Sequence, residues 1–364
     1  MPRRIRIPCK FLTVDMAPAS PAGLRARGFT ILELLTATAI LAAILVMVFS
    51  ALNHSIGVWR QANAKIDAFQ NARAVFEIMT SRLSQATLNT YWDYYDDGFQ
   101  PFRLATNGAS FEPKYYGRYS DLHFICGPAA SLIPTMPPGY SALATQAVFF
   151  NVPTGLTTNA AYQSLPELLS ACGFFVAFGG DDVTRPSIVP SSVNANYRWR
   201  LMELTAPSES LAVFATPTGT DWFTAPISDR QVRPIADNII ALVIWPRVAP
   251  LNDPEGTQIA PGYSYDSRTT APWSDGRQPL QAHQLPPTVQ VTMVAIDEAS
   301  AIRLQDGSTP PAQIAAALAG CFTGPVTTYA DDIQKKLEPA LVENQINYRV
   351  FTTTVALRES RWSQ

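Results

Sequence analysis

The sequence predicts an α+β protein, with one long N-terminal helix followed by a head of antiparallel strands and long loops. Three observations carry this expectation. No proline occurs from Phe29 to Phe99, although the chain holds 30 of them. Gly57 is the only glycine between Phe29 and Asp97, and a stretch without either breaker reads as one helix. Beyond residue 120, short apolar or alternating runs stand between loops rich in Pro, Gly, Ser and Asp, which is the texture of strands.

Residues 1–28 form a basic leader. It holds Arg3, Arg4, Arg6, Lys10, Arg25 and Arg27 against a single acid, Asp15. Met16 offers an alternative start within it. The whole chain has 27 basic and 29 acidic residues; without the leader, 21 and 28 remain, a net charge of −7. No basic stripe appears, so a nucleic-acid partner is not expected. The positive-inside rule puts the leader in the cytoplasm and the bulk of the chain on the other side.

Residues 29–52 are apolar almost throughout. At ~1.5 Å per residue they make ~36 Å of helix, enough for a hydrocarbon core of ~30 Å. Glu33 interrupts them. An ionised group in a membrane helix costs ~2.5–3.5 kcal/mol even on the lenient insertion scale, so it calls for a role and a partner. A secretory signal peptide has a shorter apolar core with a cleavage site after it. A plain signal anchor fits the length and the arginines but leaves Glu33 without a role.

Residues 53–90 continue the helix in amphipathic form. Trp59, Ala62, Ile66, Phe69, Phe76 and Leu83 recur at three- and four-residue steps, broken at Arg73, among Arg60, Lys65, Asp67, Glu77 and Arg82. Residues 91–98 (YWDYYDDG) end the helix as a turn with packed aromatics. Asp93, Asp96 and Asp97 there also suit contact with a carbohydrate or calcium, without an EF-hand pattern.

The head, residues 91–364, is expected to hold strands at 121–126, 147–152, 172–178, 197–204, 211–215, 239–245, 288–296 and 348–357. Helical pieces are expected at 312–319 and 330–342, and long surface loops at 134–140, 250–261 and 269–279. Four cysteines occur, with Cys9 in the leader. Cys126, Cys172 and Cys321 allow either one disulfide with a free thiol or three unpaired core thiols.

Enzyme chemistry is not indicated. His54, His123 and His283 lack metal-ligand spacing, and no nucleophile elbow, phosphate loop or dinucleotide fingerprint occurs. The acid pairs Asp181/Asp182 and Asp331/Asp332 are sequence neighbours, which point in different directions more often than they form a catalytic couple. No cofactor or metal is expected.

The run Gly28-Phe29-Thr30-Ile31-Leu32-Glu33-Leu34 resembles the cleavage and methylation motif of type IV prepilins and type II secretion pseudopilins. The resemblance implies that a prepilin peptidase cuts between Gly28 and Phe29 and methylates the new terminus. It makes Glu33, the fifth residue after the cut, the group that docks a neighbouring subunit by neutralising its amine inside an apolar filament core. It also implies a pilin-like fold, inner-membrane anchorage with the head in the periplasm, and other pilins or pseudopilins as partners through the helix. One departure stands out: many type IV pilins carry a proline about twenty residues into the mature chain, and Ser50 stands there.

Further on, Asp237–Trp245, Trp273 and Leu285-Pro286-Pro287 before 288–296 resemble the minor pseudopilin J of type II secretion. The stretches 172–179, 197–214, 237–247, 263–268 and 284–304 resemble the Verru/Chthon cassette protein C family, large prepilin-motif proteins without a defined activity. The implied role is a structural minor pseudopilin or minor pilin, its large head suiting a tip position. A second reading keeps the anchor and makes the head a binding module for a sugar or secreted substrate, through aromatics such as Tyr91, Trp92, Trp222 and Trp273.

Overall fold

A computed structural model describes residues 29–362, apart from 107, 183, 187, 191, 216–218 and 270, and apart from the side chains of 60–65, 67, 68 and 109. The leader, Gly28 and Cys9 lie outside the described residues. The chain divides into two compact units, 1–60 and 61–364. The protein is α+β: an N-terminal apolar helix and antiparallel sheets.

Helix α1 spans Ile31–Leu83 and continues unbroken through Ser50 and Gly57. In the first unit its described side chains are all exposed. In the second unit the helix has a buried seam of Ala72, Phe76, Met79 and Leu83, at four-, three- and four-residue steps. Phe69 and Val75 flank it, half-buried. The expected stripe is corrected here, because Trp59 and Ile66 are exposed and Ala72 and Met79 take the central places. The helix also ends earlier than residue 90. Its last turn gives way at Ser84, and the Thr87 N–H donates to the Asn151 carbonyl at 2.9 Å, drawing the chain into the sheet.

Eleven strands follow among the described residues, all pairing antiparallel. The main sheet has six strands in the order β7-β6-β5-β4-β3-β9: Val232–Asp237, Arg198–Ala206, Leu169–Gly179, Tyr140–Pro153, Ile125–Pro128 and Tyr265–Asp266. A second sheet orders β11 (Tyr348–Ala356), β10 (Thr288–Ile296) and β8 (Ile239–Arg247). A two-stranded ribbon pairs β1 (Tyr91–Tyr95) with β2 (Tyr115–Tyr119). The turn expected at 91–98 is thus a strand for its first five residues, as its Tyr and Trp content favours. The strand expected at 211–215 is a single 3-10 turn over Ala212–Phe214.

The main sheet is buried on both faces. From β5, Cys172, Phe174, Val176 and Phe178 join the core shared with α1 and the second sheet. Ala171, Phe175 and Ala177 join a second core beneath α2 (Asp221–Ser228), with Trp222, Phe223 and Ile227. That is why β5 reads as a continuous apolar run instead of an alternating one. Gly173 is required in it: a Cβ there would lie 2.1 Å from the Phe149 ring.

Strand β8 is the edge of the second sheet, yet it is buried. An interruption in β4 between Ala144 and Ala147 satisfies it. Thr145 adopts a left-handed φ of 50°, unusual for a β-branched residue. Its hydroxyl accepts from Leu242 N–H at 2.9 Å and donates to the Leu242 carbonyl at 2.6 Å. Gln146 Oε1 accepts from Ile244 N–H at 2.6 Å. Two side chains therefore stand where a neighbouring strand would.

Glu203, on the α1 side of β6, is buried between two cations. Arg82 from the last turn of α1 reaches it at 3.1 Å and Arg233 of β7 at 2.7 Å. The late helical segment runs from Tyr329–Asp331 through a π-helical stretch, Asp332–Leu337, into Glu338–Glu343. Two variants test this packing by chemical denaturation. Gln146→Leu strands a buried Ile244 N–H and is expected to lose about 1–3 kcal/mol. Met79→Ala empties the helix seam and is expected to lose about 2–5 kcal/mol.

Candidate functional site

The processing motif enters the described residues at Phe29, which is exposed. Thr30 and Glu33 bond reciprocally: Thr30 Oγ1 accepts from Glu33 N–H at 3.3 Å, and Glu33 Oε2 accepts from Thr30 N–H at 3.5 Å. This is a capping box at the start of α1. Its signature, Thr-x-x-Glu before an apolar run, is present in the sequence and was missed there. Within a single chain Glu33 closes its own helix start. The segment Ile31–Trp59 is the one described helix long and apolar enough to cross a membrane, and none of its most apolar stretch is buried.

The acids after the helix are committed to local structure. Asp93 Oδ1 accepts from Tyr94 N–H at 2.8 Å, and Asp96 Oδ1 accepts from the N–H groups of Gly98 and Gln100 at 2.9 and 2.8 Å. Asp97 pairs with Lys114 at 2.9 Å. Among the described residues no cluster of three or more His, Cys, Asp or Glu is arranged to hold a metal. Cys126, Cys172 and Cys321 are free and buried. Burial pushes all three thiols up, Cys172 to about 12.

The four singled-out aromatics separate. Trp222 is fully buried under the main sheet and donates its indole N–H to His123 Nδ1 at 3.1 Å. His123 Nε2 meets Asp266 at 2.7 Å, so both ring nitrogens are engaged and neither is placed to take a proton from a nucleophile. The other three gather on the β1–β2 ribbon. Trp92 and its neighbours Tyr94 and Tyr116 form an exposed face, with Trp92 stacked on Tyr116 at 5.2 Å and Tyr94 5.3 Å from the same ring. Tyr91 lies on the opposite face beside Tyr119, at 5.6 Å.

Trp273 packs against that second face. It lies over Gly117, where a Cβ would come within 2.4 Å of the indole, and contacts Tyr95 and Phe99 at 4.9 and 5.3 Å. Its loop is pinned by Gln278, whose amide accepts from Arg118 N–H at 2.8 Å and donates to the Arg118 carbonyl at 2.7 Å. This covers the free edge of β2. The Arg118 guanidinium donates to the carbonyls of Ala282 and Pro279, both at 3.2 Å.

Between ribbon and loop lies a cavity of about 370 Å³ with Tyr95, Phe99, Tyr119, Trp273, Arg268 and His283 in its wall. His283 adopts φ 53° and packs at a tilt against Tyr119, ring centroids 4.8 Å apart. Its Nδ1 accepts from Ser120 N–H at 3.2 Å. Burial, then the charges of Arg268 and Arg118, push its pKa down to about 4. Burial likewise lowers His123, whose bond to Asp266 opposes the shift only in part. Asp266 is itself lowered, against the effect of its own burial, by its contacts with His123 and Arg268.

The shifts fix a pH response. Below about 6.5 the unfolded chain binds protons that His123 and His283 refuse when folded, so stability falls as pH drops from 6.5 toward 4. Asp266 stays ionised across this window and adds loss only below the ordinary carboxylate range. The melting temperature is expected to decline from pH 6.5 to 4 and to decline less steeply in His283→Asn, asparagine being tolerant of left-handed backbone. An unchanged slope in the variant contradicts the role given to His283.

No protein-family model, curated protein or solved structure matches this chain.

Proposed function

We propose that the protein is a prepilin-type structural subunit, a minor pseudopilin or minor pilin of a type II secretion or type IV pilus-like assembly. The observation that carries this reading is the division of labour along α1. Its first part is apolar, exposed and span-length. Its last part buries Ala72, Phe76, Met79 and Leu83 against the head. Such a helix anchors a head in the membrane with one end and holds it with the other, as a pilin-like subunit requires.

The site residues follow from the motif. Gly28 and Phe29 flank the peptidase cut. Cleavage leaves a cationic amine on Phe29, next to the capping box. In the assembled state Glu33 exchanges its contact with Thr30 for the amine of a neighbouring subunit, so neither charge is left alone in an apolar surrounding. Localisation follows as a single pass of the inner membrane with the head in the periplasm, and the partners are the prepilin peptidase and other pilins or pseudopilins.

A second reading, an anchored binding module for a sugar or secreted substrate, is favoured by the exposed Trp92, Tyr94 and Tyr116 on one ribbon face. Fully buried Trp222 belongs to the core and does not contribute to it.

Mass spectrometry of the N-terminus from membranes tests the first reading. Wild-type protein is expected to begin at N-methyl-Phe29, and Gly28→Ala to keep its leader. Glu33→Gln is expected to be cut normally and to be lost from co-purified filament subunits. An intact leader in wild-type cells that process other prepilins overturns the reading and leaves residues 29–59 as a plain anchor.

A further inference from the structure

A strand at the edge of a sheet presents unpaired N–H and C=O groups, and folded proteins close such edges with proline, charge, irregularity or cover. Among the described residues, the edges of this head are closed in turn. Strand β7 carries Pro234, Arg233 and Asp237 and shifts register against β6. Strand β9 has two residues. Thr145 and Gln146 fill the β8 edge, and Gln278 pairs with that of β2. Strand β1 is bridged at its end by Pro101. Strand β11 is the exception.

It runs for nine residues, Tyr348–Ala356, without proline, and it pairs with β10 without a break in register. The bonds at its two ends fix which way its main chain faces. The Asp297 N–H donates to the Asn347 carbonyl at 3.0 Å, and the Leu357 N–H donates to the Pro287 carbonyl at 3.2 Å. Bonding alternates along an antiparallel pair, so 349, 351, 353 and 355 bond to β10 as 347 and 357 do. Tyr348, Val350, Thr352, Thr354 and Ala356 therefore turn their N–H and C=O groups outward, where no described group bonds to them. Thr352, Thr354 and Ala356 are exposed, so water reaches this edge. Arg349 is the one charged residue of the strand. It is exposed, its guanidinium lies over the Phe351 ring at 5.8 Å, and it has no ion-pair partner among the described residues.

We propose that the outer edge of β11 takes up an extended segment of another polypeptide as an added strand, one low in charge and rich in β-branched residues, with an acidic residue beside Arg349. The outward groups recur every ~6.8 Å along the edge, and another extended backbone matches that spacing with both donors and acceptors. Threonine and valine on the edge favour β-branched neighbours across it, and the unpaired guanidinium favours an acid over a base. The inference does not rest on the prepilin reading, which uses α1 and not this edge, so either can fail without the other.

The test is fluorescence anisotropy with the full-length protein in detergent micelles and a labelled peptide of alternating threonine and valine. Glutamate at each end of the peptide lets an acid meet Arg349 in either strand direction. Saturable binding is expected. Two N-methylated forms of the peptide, one for each alternating set of residues, are the controls. The form methylated on the set that faces β11 is expected to bind about tenfold weaker or less still, and the other to bind as the unmodified peptide does. Lysine in place of glutamate is expected to weaken binding about threefold, and equal affinity overturns the part given to Arg349. Thr354→Pro removes an outward N–H without touching the β10 ladder and is expected to weaken binding about tenfold. Absence of saturation up to about 1 mM peptide overturns the proposal. Equal binding of the two methylated forms to wild-type protein overturns it as well, whether or not the variant folds. Wild-type protein that is dimeric in micelles, and monomeric as Thr354→Pro, assigns the edge to a second copy of the chain and overturns the proposal too.

Discussion

A strand edge inside a core must find hydrogen-bond partners, and the head is organised around how it meets that constraint. Strand β8 closes the second sheet where the main sheet begins. Its Leu242 and Ile244 amides cannot reach water. The break in β4 turns Thr145 and Gln146 toward them, and a hydroxyl and an amide take the place of a peptide backbone. The same device recurs at the ribbon, where the Gln278 amide makes a reciprocal pair with the backbone of Arg118. At the β8 edge the reciprocal pair is made by the Thr145 hydroxyl, with Gln146 accepting alone, and at the ribbon by the Gln278 amide. Without them the β8 amides would be unsatisfied, and the loop that carries Trp273 would lose its backbone pairing to β2.

The second constraint is that the main sheet has no wet face. Its central strands must be apolar on both sides, and the polar exceptions there are therefore costly and paired. Glu203 is the clearest. A buried carboxylate left alone is destabilising, but here one cation comes from α1 and one from β7, so the helix has a fixed register on the sheet as well as an apolar seam. His123, Asp266 and Trp222 play a comparable part on the other face, linking β9 to α2 through a ring with no nitrogen to spare.

How much of this the sequence disclosed depends on the range of the interaction. The stretch 288–296 was legible to the residue as β10, and 172–178 as the body of β5, because an apolar run between breakers is a local signal. The turn at 212–214 and the strand at 91–95 were not, because aromatic and apolar content alone does not say whether a partner strand lies nearby. For α1, periodicity gave Phe76 and Leu83 but also Trp59 and Ile66, since a stripe does not report where the head begins. At the start of α1, the Thr30–Glu33 capping box was present in the sequence as Thr-x-x-Glu before an apolar run, a local signal. The cavity was not. Arg118 and Gln278 are separated by 160 residues, and nothing local to either marks them as neighbours.

The three thiols of the head are the feature with the broadest consequence. Each is buried and unpaired, and each is held in its protonated form. A thiol in that state is a small apolar group; only a thiolate exchanges with disulfides or is readily oxidised. None of the three therefore cross-links the described head, which is held together by packing and hydrogen bonds. Reaction of any of them with an oxidant is contingent on opening of the core around it, so a rate of thiol modification in the head reports on that opening.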